Sequence, residues 1–490
     1  MRTTSRLLAR SAWIGGPLSA WALGVGLLAV LPGCGSGGAT DPDQMNMQGV
    51  SKPTLTQVSP DLGPLSGGTT VSVFGSDFRQ GAQVKFGGLP GSSVVVKSGV
   101  EISVTLPAWT GAIGPVEISV DNSDGGHASG ADLFSYVRTV LKFDPTVVRT
   151  VGKSPIALAA ADVNGDGGNE LLVANNGDGT LSVLLNNLDF NQNSSPYSTP
   201  ALPTAIALGD LNGDARTDVV LGHGNASSQD VSVLRGLGNG AFMTPDSFAI
   251  GGTVAGIAVR DLNGDSKPDV AATVRTTNKL MVMTNNGAAP SIGFATPYTS
   301  FSVSGEPAAL LFADLNKDSR DDVLMTQYGA QSIAVLLAGT PSGTLVTPPN
   351  VAGVGLRPIA LTAAEVTGDS NLDVVVANFD GNSLSVLRGQ GDGSFGSVST
   401  VAVAEKPTAV AVADMNSDGK PDLLVCNSGR NQVWILLGRG DGTFDPAQKL
   451  FTGAQPWSMV VSNLNADTKP DVAVTNLLDG TVSIFLNRTQ

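Results

Sequence analysis

A chain of 490 residues is too long for one ordinary domain core, and 61 Gly, 28 Pro and 41% hydrophobic residues describe a folded, turn-rich protein rather than a disordered one. Acids outnumber bases 42 to 28, a net charge of −14 that repels phosphate backbones, so no nucleic-acid partner is expected. Two His and two Cys leave almost nothing for a zinc centre, a disulfide framework or histidine acid–base chemistry, so the chain is not expected to be an enzyme.

The N-terminus reads as an address. Arg2, Arg6 and Arg10 precede an acid-free apolar run from Leu18 to Leu31, too short for a comfortable membrane span. The run ends in Leu31-Pro32-Gly33-Cys34, which resembles the bacterial lipobox; an ordinary signal peptide with a chance cysteine is the alternative. The resemblance implies cleavage after a signal peptide of residues 1–33, lipidation of Cys34, and attachment to a membrane through that lipid. Cleavage removes three Arg and no acid, taking the net charge from −14 to −17. Gly35, with no Asp after the cysteine, implies an outer-membrane lipoprotein of the bacterial cell envelope, surface-exposed or facing the periplasm. Residues 34–51 are polar and Gly-rich, as suits a flexible tether. The second cysteine, Cys426, sits in an apolar run and reads as a small buried hydrophobe.

Residues 52–137 alternate in short runs such as TVSVFG, AQVKFG and EISVTLP, broken by Gly or Pro at the spacing of an all-β sandwich. Through SPDLGPLSGGTTVSVFGSDF, VKFGG, TLPAWTGAIGPVEISVDN and LFSYV this segment resembles the IPT/TIG domain, which implies an immunoglobulin-like spacer or binding module. Gly67 and Gly68 suit a turn with positive φ, Phe74, Phe78 and Phe86 are expected in the core, and His127 in a solvated turn.

From residue 138 the chain repeats itself. A loop of the form DxNxDxxxD begins at residues 162, 210, 261, 314, 365, 414 and 463, at intervals of 48, 51, 53, 51, 49 and 49 residues. This is the size of one four-stranded propeller blade. Each repeat has an Ala-rich strand before the loop, two Val/Ile/Leu strands after it, and a more variable fourth strand following a GDGxF-like turn at 238–242, 391–395 and 440–444. The last repeat lacks the fourth strand, and LKFDPTVVRTV at 141–151 is expected to supply it by pairing with the C-terminal blade. These repeats resemble the FG-GAP/VCBS family, related to the propeller of integrin alpha subunits, and imply an all-β chain: an immunoglobulin-like sandwich followed by a seven-bladed β-propeller over 138–490.

The loops read as sites for structural Ca2+. A hard cation wants several oxygens at once, and side chains at loop positions 1, 3, 5 and 9 with the carbonyl of position 7 can converge from a tight turn. In that order the donors are Asp162, Asn164, Asp166, Glu170 and Gly168 in the first loop, and Asp210, Asn212, Asp214, Asp218 and Arg216 in the second. The third offers Asp261, Asn263, Asp265, Asp269 and Lys267, and the fourth Asp314, Asn316, Asp318, Asp322 and Arg320. The fifth, with Glu365, Thr367, Asp369, Asp373 and Asn371, and the seventh, with Asn463, Asn465, Asp467, Asp471 and Lys469, depart from the pattern at position 1, and the fifth also at position 3. The sixth, Asp414, Asn416, Asp418, Asp422 and Lys420, keeps it. Three carboxylates about 5 Å apart repel by roughly 3 kcal/mol per pair at an effective dielectric of about 20, a cost that a cation removes. The competing reading is an Asx turn, in which Asp or Asn only hydrogen-bonds its own backbone.

The function expected is a monomeric, surface-anchored binding or adhesion protein that meets a protein or glycan ligand through a propeller rim whose loops vary on a fixed frame. The alternatives are an extracytoplasmic propeller enzyme acting on polysaccharide and an envelope-complex scaffold. His223, the one histidine of the repeats, reads as the end of a strand, and Arg439-Gly440-Asp441 as part of a GDGTF turn rather than an adhesion motif.

Overall fold

The computed structural model describes residues 50–186, 190–192, 196–200, 202–224, 230–287, 291–346 and 349–489. The signal segment, Cys34 and nearly all of the tether lie outside these residues. Among them no helix is long and apolar enough to cross a membrane.

The N-terminal domain packs two antiparallel sheets face to face. One carries Thr54–Ser59, Thr70–Ser76, Glu101–Thr105 and Ser92–Ser98 in that spatial order; the other carries His127–Gly130, Ile118–Asp121, Gln83–Phe86 and Leu89–Pro90. A third small sheet joins Leu62–Pro64 in parallel to Ser135–Val137. Alternation places Val71, Val73, Ile102 and Val104 of one sheet against Val84, Phe86, Ile118 and Val120 of the other, all essentially buried. Phe134 stands edge-on to both Phe86 and Tyr136, with centroids 5.2 Å away in each case, and Trp109 stacks on Tyr136 at 5.3 Å. The Tyr136 hydroxyl donates to Pro107 O at 2.9 Å, and burial pushes its pKa up to about 12. Gly67 and Gly68 hold positive φ of 67° and 82°, as expected of the turn. Two expectations need correcting. Phe74 is only half-buried, because its neighbours Val71 and Val73 take the inner face. His127 opens a strand rather than sitting in a turn, with Nδ1 2.6 Å from Asp121 Oδ1.

Beyond the sandwich the described residues form seven repeat sheets of antiparallel strands, six of them built from strands consecutive in the chain. The first strands are Pro155–Ala161, Pro203–Gly209, Val254–Arg260, Pro307–Ala313, Pro358–Ala364, Pro407–Ala413 and Pro456–Ser462. The second strands, such as Glu170–Asn175 and Asp422–Asn427, are buried at every residue. The fourth strands, such as Phe395–Ala402, are mostly exposed. In the first sheet two short strands, Asn191–Gln192 and Tyr197–Ser198, both pair with the third strand Thr180–Leu185. The seventh sheet takes its outer strand from far upstream: Val147–Thr150 runs antiparallel to Thr481–Phe485, with Val147 opposite Ile484. This is the pairing expected of 141–151.

No hydrogen-bonded ladder joins one repeat sheet to the next among the described residues; the sheets meet through side chains. Successive side chains of a strand point to opposite faces, so each second strand serves two interfaces. Leu172 and Ala174 pack with Val219 and Leu221 of the second sheet, while Leu171 and Val173 pack with Ala473 and Val482 of the seventh. The same alternation continues through Val220 with Val270, Ala271 with Val323, Leu324 with Val374, Val375 with Leu423, and Leu424 with Val472. First strands also neighbour one another in sequence order, and the seventh neighbours the first. Their small residues suit that crowding: a Cβ on Gly256 would lie 2.4 Å from Ala308 O of the next sheet.

Candidate acidic-loop sites

Each acidic loop joins the first strand of its repeat to the second, so all seven lie at the same end of the sheets. Positions 4 and 6 take left-handed backbone in every loop, at Gly165 and Gly167 in the first and at Lys317 and Ser319, both φ 62°, in the fourth. The position-1 carboxylate holds these turns. Asp162 accepts from Gly165 N at 2.6 Å and Gly167 N at 2.9 Å, Asp210 from Gly213 N and Ala215 N at 2.7 Å, and Asp261 from Gly264 N and Ser266 N at 2.7 and 2.8 Å. Asp314 and Asp414 reach Ser319 N and Gly419 N in the same way. Burial pushes Asp162 up, but the N–H groups of Gly167, Gly165, Asn164 and Asp166 together outweigh it and hold the acid below its usual range. Glu365 does the same work in the fifth loop, accepting from Gly368 N and Asp369 N. In the seventh loop, Asn463 accepts from Asn465 N at 3.3 Å.

Positions 3 and 5 are tied to each other. Asn164 Oδ1 accepts from Asp166 N while its Nδ2 donates to Asp166 Oδ2 at 2.9 Å, and Asn212, Asn263, Asn316, Asn416 and Asn465 repeat the pair with Asp214, Asp265, Asp318, Asp418 and Asp467. Position 5 also accepts the N–H of position 7: Gly168, Arg216, Lys267, Arg320, Asn371, Lys420 and Lys469 in turn. Some position-5 acids meet an arginine as well: Asp318 with Arg320, Asp369 with Arg388, Asp467 with Arg488. Thr367, the odd residue of the fifth loop, donates to Asp373 Oδ1 at 3.3 Å.

Position 9 has a second task that its spacing did not announce. Asp422 is fully buried; Oδ2 accepts from Met415 N at 2.8 Å and Oδ1 from Gly438 N, sixteen residues on, at 2.7 Å. Glu170, Asp218, Asp269, Asp322, Asp373 and Asp471 make the same double attachment, fastening the start of the loop to the end of the third strand. Burial, then the charges of Asp418 and Asp414, push Asp422 up to about 7; burial, then Asp214 and Asp210, push Asp218 up to about 6. Glu170, Asp269, Asp322 and Asp471 are also raised, in each case by burial first.

The donor set of carboxylates, side-chain amides and a carbonyl is of the kind a hard divalent cation takes. In this arrangement the oxygens serve the loop's own N–H groups, the Asx-turn pattern, and among the described residues no group of three or more His, Cys, Asp or Glu is gathered closely enough to hold a metal. A carboxylate oxygen has a second lone pair, so an N–H bond leaves room for a cation contact.

Away from the loops, His223 ends its strand as expected and is fully buried, with Nε2 2.8 Å from Ser232 Oγ. Cys426 is fully buried, and burial pushes its thiol up. Arg439-Gly440-Asp441 is a turn: Gly440 has φ 76°, and Asp441 Oδ1 accepts from Thr443 N and Oγ1. Between the sandwich and the sixth repeat sheet lies a cleft of about 1110 Å3, crossed by the Lys449–Asp61 ion pair at 2.6 Å.

The FG-GAP-like repeat family matches residues 162–221, 210–272, 261–325, 365–425 and 414–474, and the IPT/TIG domain matches 53–136. The chain belongs to the FG-GAP-like repeat family. Among solved structures, this FG-GAP-like chain is similar to BBS1N in complex with ARL6DN, soaked with mercury, at 13% identity over 72% of this chain and 99% of that one, with a TM-score of 0.52. That likeness concerns the fold. It also matches an auxiliary nutrient binding protein from Bacteroides ovatus (15% identity, 90% and 99% covered, TM-score 0.42) and a protein of Bacteroides thetaiotaomicron provisionally titled a phosphatase (14%, 92% and 99%, 0.46). No curated protein matches the chain.

Proposed function

We propose that this FG-GAP-like chain is a calcium-stabilised binding protein of the bacterial envelope, anchored through Cys34, in which a seven-bladed propeller recognises a protein or glycan. The observation that carries the propeller reading is the cycle of side-chain interfaces through seven sheets, the last of which packs on the first. Such a frame fixes the blades and leaves the turns free to vary, an arrangement suited to recognition. His223 is sealed inside its sheet, which takes it away from surface acid–base chemistry.

Calcium would be held by positions 1, 3, 5 and 9 and the position-7 carbonyl, most weakly in the fifth and seventh loops, where Glu365, Thr367 and Asn463 change the donors. For a dissociation constant of ~10⁻⁴ M in ~1 mM calcium, linkage gives about 1.4 kcal/mol per site. Thermal unfolding with calcium and with chelator tests this reading: a rise of several degrees with calcium is expected, and an unchanged midpoint refutes it. Metabolic labelling with radioactive palmitate tests the anchor, which predicts incorporation that Cys34→Ser abolishes. Arrays of glycans and of envelope proteins test the binding role, and silence on both refutes it.

A further inference from the structure

The end of the repeat sheets opposite the acidic loops carries a different chemistry. There the chain turns from second to third strand and enters the first strand of the next repeat. Arg275, just after the second strand of the third repeat, lies with its guanidinium 4.9 Å from the centroid of the Tyr328 ring, which occupies the same place in the fourth. Arg357, entering the fifth repeat, lies 5.3 Å from that ring, so one phenol is flanked by two guanidinium groups. Phe379 donates its N–H to Arg357 O at 2.9 Å and carries Lys406 Nζ 5.7 Å from its own ring. Across from it stands Trp457, with centroids 6.3 Å apart and planes tilted by 57°. Phe379 belongs to the fifth repeat and Trp457 opens the first strand of the seventh. Rings from non-adjacent sheets meet only where the first strands converge, so this arc lies around the mouth of the repeat array.

Two features separate the arc from an ordinary polar surface. In a chain with 42 acids and 28 bases, neither Arg275 nor Lys406 has a carboxylate partner among the described residues, and Arg275 Nε is buried without a hydrogen bond. Arg357 does pair, with Asp380 at 3.0 Å, on exposed side chains where such a pair is weak. The arc also has space beside it. A hollow of about 350 Å3 is lined by Tyr328, Leu356, Arg357, Glu306 and Asp380. Stacking on a ring holds a guanidinium in place, reducing the entropy lost when it forks onto a carboxylate. Tyr, Phe and Trp rings offer large, rigid, amphipathic faces for the C–H side of a sugar.

We infer that this arc is a binding subsite for an acidic polysaccharide, with uronate carboxylates on Arg275, Arg357 and Lys406 and sugar faces on Phe379 and Trp457. The inference rests on the binding role proposed above and narrows it to one ligand class and one end of the array. The probes are a short oligogalacturonate, neutral dextran and poly-glutamate, each titrated into the purified full-length secreted chain while Trp fluorescence and heat are recorded. Oligogalacturonate binds, weakening as salt is raised, and the other two do not. Arg275→Ala and Arg357→Ala each weaken binding about tenfold, the loss expected for one charge-assisted contact. Trp457→Ala does the same while Trp457→Phe retains most affinity, and Lys97→Ala on the sandwich changes nothing. Because Arg357 is exposed, Arg357→Ala melts with the parent, which separates lost binding from lost folding. No binding of oligogalacturonate, equal binding of poly-glutamate, or affinity unchanged by the arc variants overturns the inference. In the last case the ligand sits elsewhere and the broader binding role stands; that role falls only if the glycan and protein arrays are silent as well.

Discussion

Replacing Asp422 by alanine tests whether the ninth loop position is a structural fastener, whatever else it contacts. Its two oxygens accept the N–H groups of Met415 and Gly438, both in buried surroundings, at 2.8 and 2.7 Å. Leaving one buried donor unpaired costs about 1–3 kcal/mol, so the pair costs about 2–6 kcal/mol. Removing a buried charge that Asp414 and Asp418 disfavour returns part of this, giving an expected net loss of about 2–4 kcal/mol near neutral pH. Asp418 is the control. Its bonds to Lys420 N and Asn416 Nδ2 are exposed, and water takes them over. In chelator, Asp422→Ala should therefore be much the less stable of the two; under the calcium proposal the gap should narrow in calcium, because Asp418→Ala then also removes a cation donor. A repeat array need not unfold in one step, so the signal should be local. Trp434 lies opposite Val425 in the same sheet and reports it, in a background where Trp109 and Trp457 are phenylalanine. Urea midpoints that coincide for the two variants in chelator would refute the reasoning.

Other outcomes follow from the same geometry. Asp422 and Asp218 titrate at about 7 and about 6 when folded but near ~4 when unfolded, so their stabilisation is full below ~4 and is lost as pH rises through those values. Glu101, held low by the hydrogen bonds of Lys97 and Ser72, acts in the opposite sense: its contribution is present above its ordinary carboxylate range and is lost as pH falls through its lowered value. Chelator-treated protein should thus be most stable at about pH 4.5–5 and weaken toward about pH 8; a melting point that climbs steadily across that range contradicts this. Thr468 holds φ 75° with a β-branched side chain and no position-1 carboxylate in its loop, so Thr468→Gly should stabilise the chain by roughly 1 kcal/mol in urea titration. Gln448 accepts from Leu141 N and donates to Thr139 O, both at 2.8 Å, so Gln448→Ala should cost about 1–3 kcal/mol and raise amide exchange at 139–150.

The repeats, their period and the strand order were legible because each repeat states the same pattern: small residues, an acidic loop, then two apolar strands. The pairing of Val147–Thr150 with the last repeat was legible for a related reason, since the missing fourth strand of one repeat left a strand without a partner at the other end. What stayed hidden depends on contacts between places that share no pattern. The bond from Asp422 to Gly438 joins a carboxylate to a backbone N–H sixteen residues on, and backbone donors leave no mark in a sequence. Phe74 stays half-buried because the sheet has an outer face that a short alternation cannot orient. Arg275, Tyr328 and Phe379 follow second strands and Trp457 lies in a first strand, four different residues with no shared pattern; only the convergence of the first strands brings them together.

The strand at Val147–Thr150 is made early and used last. Its partner, Thr481–Phe485, leaves the ribosome more than three hundred residues later. Until then the segment has no ladder to join. Contacts so distant in sequence slow folding, since the chain gives up its freedom long before the reward arrives. A chain still being made therefore has one end of the array present and the other missing, and in that interval a second molecule's tail could occupy the vacant edge.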